Sequence, residues 1–313
     1  MTKEHTIAGS AGGGILDAVR QKVKDYLLLV KLSLSIMVVF SCVVSYELAP
    51  NIVSLNWKMV MLLALGGILV TGSANAINQV VEKDTDALMK RTANRPVASG
   101  RMSESEAWVF AFLAGVLGIG ILQFFFSWQA AALGGFSLFL YAFIYTPLKK
   151  VNSSAVLVGA VPGALPCLIG WAAAYDTGPL FNWTGGLVLF GIQFLWQFPH
   201  FWAIAWVAHG DYSRAGFKLL PSEQGPNRFT ALQAVIYALV QFPVGVLPFM
   251  FHMSGVVSLG IVALANVFLL VQCLRLLREM SVQAARRVMF SSYIYLPVVF
   301  LALLFDKVHQ VVN

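Results

Sequence analysis

The stretch NQVVEKDTDALMKRTANRP, residues 78–96, carries three carboxylates, two arginines and two lysines. If it is helical, Asn78, Glu82 and Asp86 fall at i, i+4 and i+8 and share one face. Successive members then lie about 6 Å apart along the axis. Two carboxylates and an amide oxygen on such a strip suit Mg²⁺, which takes few protein ligands, keeps waters and accepts substrate phosphates. Asp84 points elsewhere on an ideal helix. Arg91 and Arg95 are also i, i+4, and Pro96 marks the expected helix end. Acids that hold a divalent cation, followed by arginines matched to phosphate oxygens, describe a diphosphate site. A solvated helix end of mixed charge would have the same composition.

Two further patches carry chemistry. In YAFIYTPLKK, Tyr145 and Lys149 stand at Y-x-x-x-K spacing, with Lys150 next. A hydroxyl and an ammonium are natural donors to a departing diphosphate; an interfacial aromatic with basic anchors reads the same way. In WQFPHFWAIAWVAHGDYSRAGFKLLP, His200 is an ionisable group inside an apolar run. Such a group marks a functional site or an imidazole bonded to a neighbouring helix. Asp211, Arg214 and Lys218 follow at the membrane surface. Trp196, Phe198, Phe201, Trp202 and Trp206 offer either an interface belt or walls for a flat or polyisoprenoid ligand, and Pro199 predicts a kink.

The elements that must position these groups follow from composition. Of 313 residues, 58% are apolar and 11% charged, whereas a soluble domain carries about 25% charged residues. Nine segments are long and apolar enough to span a bilayer: about 27–47, 59–78, 107–126, 129–148, 154–174, 181–206, 230–250, 254–274 and 289–305. None alternates as a barrel strand would. The fold class predicted is all-α, a polytopic membrane protein of about nine helices. Threading the spans from a cytoplasmic N-terminus puts 19 of the 21 Lys and Arg on the cytoplasmic side, with only Lys58 and Lys307 opposite. That bias supports both count and orientation. It also explains the net charge of +7 without a nucleic-acid partner.

The longest connections, 79–106 and 207–229, both face the cytoplasm, as do 149–153 and 275–288. Ser103 and Glu106 fit a capping box for the third helix. Residues 1–24 read as a flexible cytoplasmic tail containing TIAGSAGGG, and 25–313 as one transmembrane domain. Cys42, Cys167 and Cys273 lie apart in apolar segments, so neither a disulfide framework nor a zinc site is indicated.

The motifs NQVVEKDTD and YTPLKK resemble the Asp-rich and Tyr–Lys motifs of the UbiA superfamily of intramembrane prenyltransferases, with Glu82 where Asp is commoner. Together MKRTANRP, YTPLKK, VGAVPGALPCLIGW and FPHFWAIAWVAHGDYSRAGFKLLP resemble its heme-farnesylating branch, over about residues 27–305. The resemblance implies a UbiA-like helical bundle in a bacterial cytoplasmic (inner) membrane. It implies transfer of farnesyl from farnesyl diphosphate to a vinyl group of heme b, with water added and diphosphate released. Asn78, Glu82 and Asp86 would hold Mg²⁺, the implied cofactor, with Asp84 close by; Arg91, Arg95, Tyr145 and Lys149 would bind diphosphate. His200, Asp211 and Lys218 match a second motif region, where His200 would ligate or orient heme iron. Heme b is a substrate in this scheme, and a heme A synthase or terminal-oxidase assembly is the implied downstream partner. Near the first helix VKLSLS departs from the usual Lys-Pro-Arg and keeps only Lys31. The alternatives are a prenyltransferase for an aromatic or quinone-precursor acceptor, and a membrane transporter.

Overall fold

The computed structural model describes residues 11–175, 182–222 and 224–308. Residues 1–10 of the expected tail and 176–181, between the fifth and sixth expected spans, lie outside them. Among the described residues the chain is helical throughout, with no named strand. The helices are α1 (Ala11–Leu29), α2 (Leu32–Leu48), α3 (Trp57–Val81), α4 (Lys83–Ala87), α5 (Glu104–Phe125) and α6 (Trp128–Phe139). A π-helical turn, Leu140–Tyr145, leads into α7 (Thr146–Leu148). Then come α8 (Ser154–Ala173), α9 (Thr184–Val207), α10 (His209–Arg214), α11 (Arg228–Met250), α12 (Val256–Glu279) and α13 (Val282–Phe305). Eight spans are long and apolar enough to cross a membrane, and α1 with α2, bent by 49° at their junction, make up a ninth.

At the centre α8 packs against α2, α6 and α9 and is mostly buried. Small residues allow this: a Cβ added at Gly170 would overlap the carbonyl oxygen of Cys42 on α2. Pro166 cannot donate to the carbonyl of Pro162 one turn earlier, and Ser137 on α6 supplies a donor at 3.3 Å instead. On the other side, α9, α11, α12 and α13 are joined by a polar clamp. Gln241 Nε2 donates to the Ile192 carbonyl at 2.9 Å, and the Tyr295 hydroxyl donates to Asn266 Oδ1 at 2.6 Å. With no water in the hydrocarbon, such pairings satisfy side chains that lipid would leave bare.

Two expectations need correction. Residues 11–24, expected in a flexible tail, belong to α1. Leu16, Val19 and Val23 recur at helical spacing, with Lys22 and Lys24 turned away from them. Three contacts tie α1 down: Lys22 Nζ to Glu106 Oε2 at 2.7 Å, Tyr26 hydroxyl to Glu106 Oε1 at 2.8 Å, and Arg101 Nε to Asp25 Oδ1 at 2.9 Å. The connection expected at 275–288 shrinks to Met280 and Ser281. Met280 ends α12 in the left-handed conformation, and Ser281 caps α13 by accepting from the Ala284 N–H at 3.1 Å. Arginines 275, 278, 286 and 287 therefore sit on helix ends, where long charged side chains reach the interface.

Candidate active site

The site lies where α1 meets α2, α3 runs into α4, and the π turn precedes α7. Although α3 closes at Val81, the ladder continues: Glu82 N–H donates to Asn78 O at 2.9 Å and Asp86 N–H to Glu82 O at 2.7 Å. Asn78, Glu82 and Asp86 therefore stay on one face, and all three are buried. Asp84 is exposed on another face and does not join them, as 100° per residue dictates. The helix expected to reach Pro96 ends at Ala87. There the Thr92 hydroxyl takes the Asp86 carbonyl at 2.8 Å, and the chain continues in turns. Arg91 and Arg95 consequently diverge. Arg95 Nη1 contacts Asp86 Oδ2 at 2.6 Å, while the Arg91 guanidinium stacks on Tyr212, 4.3 Å from the ring centre.

The π turn brings the second motif to the strip. Pro147 has no N–H for the Phe143 carbonyl and crowds it, and the preceding turn widens to i→i+5 pairing. Lys149 is buried, with Nζ 2.6 Å from Glu82 Oε1, 4.7 Å from the Tyr145 ring centre and 5.5 Å from that of Phe217. Thr146 Oγ1 accepts from Asn78 Nδ2 at 3.3 Å. The loop after α10 closes over this corner, since the Lys218 N–H donates to the Lys149 carbonyl at 2.7 Å. The Lys218 side chain itself is exposed and lines a cavity of about 260 Å³ with Tyr212 and Phe217. Asp211 is paired with Arg214, and among the described residues no hydrogen bond or ion pair joins it to the strip.

Lys31 is the member that residue spacing did not single out. It stands in the left-handed region, φ 48°, at the bend between α1 and α2, a conformation costing a non-glycine residue about 1–2 kcal/mol. Polar side chains of α3 hold that bend. Gln79 Nε2 donates to the carbonyls of Leu28 and Leu29, both at 3.0 Å, and Asn75 Nδ2 to that of Val30 at 3.0 Å. The ends of a broken helix thus find donors without water. Lys31 Nζ reaches Asn78 Oδ1 at 3.0 Å and lies in the field of Arg95, Lys149, Glu82 and Asp86. The sequence marked it only through the family resemblance, as the residue that VKLSLS keeps of the usual Lys-Pro-Arg. Thr146, Tyr212 and Phe217 gave no signal of their own.

Three cations, Lys31, Arg95 and Lys149, thus face two carboxylates in a desolvated corner. Burial pushes the Asp86 carboxyl up, against the pull of Arg95. Asp86 Oδ1 is buried with no hydrogen-bond partner among the described residues, an orphaned oxygen of the kind that suits a hard cation. No group of three or more His, Cys, Asp and Glu side chains forms a metal cage among the described residues. The arrangement suits a cation held jointly by two carboxylates, an amide and an anionic ligand. His200 lies apart on α9, with Nδ1 2.8 Å from Ser292 Oγ.

Residues 38–294 match the model of the UbiA prenyltransferase family. Among curated relatives, the protoheme IX farnesyltransferase of Cytophaga hutchinsonii is 44% identical over 284 residues, covering 91% of this chain and 98% of its own. A solved structure of digeranylgeranylglyceryl phosphate synthase superposes with a TM-score of 0.72 at 19% identity, covering 91% of this chain and 98% of that one. A UbiA homolog from Archaeoglobus fulgidus, bound to GPP and Mg²⁺, gives 0.60 at 14% identity, covering 89% and 99%.

Proposed function

The chain belongs to the UbiA prenyltransferase family, and we propose that it farnesylates heme b, taking the prenyl group from farnesyl diphosphate and giving heme O. It is an integral membrane enzyme. The observation that carries the chemistry is the pairing of buried Glu82 and Asp86 with Lys31, Lys149 and Arg95. The farnesyltransferase relative carries the choice of acceptor.

Asn78, Glu82 and Asp86 would hold Mg²⁺, as Asp86 Oδ1 has no other partner among the described residues. When bound, the cation would neutralise charge gathering on the departing diphosphate. Lys31, Arg95 and Lys149 bind the same oxygens and favour the transition state, in which their charge grows. The Tyr145 hydroxyl is a further donor. Arg91, held on Tyr212, and Lys218 at the exposed rim draw the head group in. Asp84, being exposed, serves the approach of the cation rather than its bound state, and Asp211 orients Arg214. The C1–O bond breaks with its electron pair going to diphosphate. The vinyl π pair of heme b then attacks the allylic C1, and water adds to the resulting cation with loss of a proton.

The membrane is the bacterial inner membrane, with the site and the N-terminus on the cytoplasmic side, where diphosphate is available. The apolar product stays in the bilayer, which suits delivery to a heme A synthase or a terminal-oxidase assembly. The test uses membranes given heme b, farnesyl diphosphate and Mg²⁺, with mass analysis of the heme. Wild type yields heme O, and the Glu82→Gln/Asp86→Asn double variant loses at least about 100-fold of the rate. An unimpaired double variant removes this site. Prenylation of a hydroxybenzoate with heme b untouched assigns the acceptor to the aromatic class instead.

A further inference from the structure

Asn78 heads the acid strip, and an amide serves a cation only through its oxygen. Its two ends are alike in shape and differ in what they can meet, since Oδ1 accepts and Nδ2 donates. Two neighbours decide which end faces where. Lys31 Nζ has only protons to offer, so the atom it reaches at 3.0 Å is Oδ1. On the other side, Nδ2 donates to Thr146 Oγ1 at 3.3 Å. The single hydroxyl proton of Thr146 goes to the Tyr141 carbonyl at 2.8 Å. Toward Asn78 the hydroxyl is therefore an acceptor, and only the NH₂ end of the amide satisfies it. Both neighbours demand the same orientation.

The backbone is built to hold the threonine in that role. In a regular α-helix a threonine hydroxyl bonds the carbonyl three or four residues back, whereas this one bonds five back. The π turn makes that reach possible, because its i→i+5 pairing sends the Thr146 N–H to the same Tyr141 oxygen. Backbone and side chain of one residue thus share one carbonyl. The turn is pressed against α8 in turn: a Cβ added at Gly159 would lie 2.6 Å from the Tyr145 ring, an approach that glycine alone allows. Thr146 is buried, which keeps bulk water from competing for its hydroxyl.

We propose that Thr146 is a positioning residue for the divalent cation. By accepting from Asn78 Nδ2 it turns Asn78 Oδ1, which keeps a second lone pair, toward the cation that Glu82 and Asp86 would hold. This rests on the Mg²⁺ reading above. It also gives the π turn a task, since one register sets Thr146 on the amide and Lys149 on Glu82. Without the hydroxyl the amide can flip, and an NH₂ group then meets both Lys31 and the metal.

The test measures Mn²⁺ binding to the purified full chain in lipid nanodiscs, by loss of the free-ion paramagnetic signal, with a non-cleavable farnesyl thiolodiphosphate present. Mn²⁺ replaces Mg²⁺ as a divalent cation suited to the same oxygen ligands. Thr146→Val keeps the shape and the backbone N–H to Tyr141 but removes the acceptor, and should weaken Mn²⁺ binding at least about 10-fold. Thr146→Ser restores the hydroxyl and should bind as wild type does. Asn78→Asp presents an accepting oxygen whichever way it turns, so in that background Thr146→Val should have no further effect. Heme O formation by Thr146→Val should be slow at low Mg²⁺ and recover at saturating Mg²⁺. Wild-type Mn²⁺ affinity in Thr146→Val overturns the proposal. An equal loss in Thr146→Ser, or an undiminished loss in the Asn78→Asp background, overturns it too, by assigning the effect to packing. Thr146→Ala decides the matter in the same way if the valine chain does not fold. A wild-type chain that binds no Mn²⁺ beside the analogue overturns the metal reading, and this inference with it.

Discussion

Asp86 has one carboxylate oxygen on Arg95 and one with no hydrogen bond among the described residues, both inside the protein. Glu82 faces Lys149, and Lys31 reaches the amide beside them. Removing one member of such a set leaves its partner's charge buried and bare, which costs more than the contact was worth. Lys31→Met should lower kcat/KM for farnesyl diphosphate by about 100-fold, as loss of a single charge-stabilising donor does. Competition by inorganic pyrophosphate should weaken in parallel. If both parameters hold at the wild-type level, Lys31 serves only the bend. The acid strip was legible because helical periodicity converts i, i+4, i+8 directly into a shared face, and the same periodicity turned Asp84 away. Lys31 was not, since its place depends on a left-handed residue held by Asn75 and Gln79 from another helix. The division of labour between Arg91 and Arg95 was equally hidden, because the helix stops at Ala87 and breaks their spacing.

Among the elements, α8 decides how closely its neighbours approach, and it does so through residues that lack side chains. Gly170→Ala would drive a methyl group into the Cys42 carbonyl, and neither backbone can step aside cheaply. The expected cost is about 1–3 kcal/mol, read as a lower Tm in detergent. Gly120→Ala is the control, since nothing lies within 4 Å of its added carbon, and it should leave Tm unchanged or slightly higher. Equal Tm in both variants would show that α2 and α8 slide freely. Hydropathy alone was enough to count the spans, because about 20 apolar residues are what a bilayer requires. It misjudged the α12–α13 junction, where arginines on helix ends resemble a loop in composition. It also missed α1, whose glycine-rich start obscured the amphipathic repeat behind it. The π turn had only Pro147 as its herald.

For the molecule as a whole, the charge bias predicts a sidedness that labelling can check. Cys42, Cys167 and Cys273 are all buried, so an introduced exposed cysteine reports alone. Ser54→Cys lies in the α2–α3 connection and Lys150→Cys in the α7–α8 connection, at opposite ends of the bundle, and both positions are exposed. An impermeant maleimide should label Ser54→Cys on intact cells and Lys150→Cys only after permeabilisation. The reverse pattern would invert the orientation. The gathering of Lys31, Glu82, Asp86, Arg95 and Lys149 at one end of their helices also bears on how the protein is made. No nascent hairpin has to drag one of these charges through hydrocarbon. With the predicted sidedness each waits in water on the side of synthesis. Asp86 and Arg95, in one connection, can pair early, but Glu82 meets Lys149 only once the fourth span is in place. Completion of this charged corner is thus deferred until the fourth span is inserted, and a chain truncated before Lys149 would leave Glu82 without its cation.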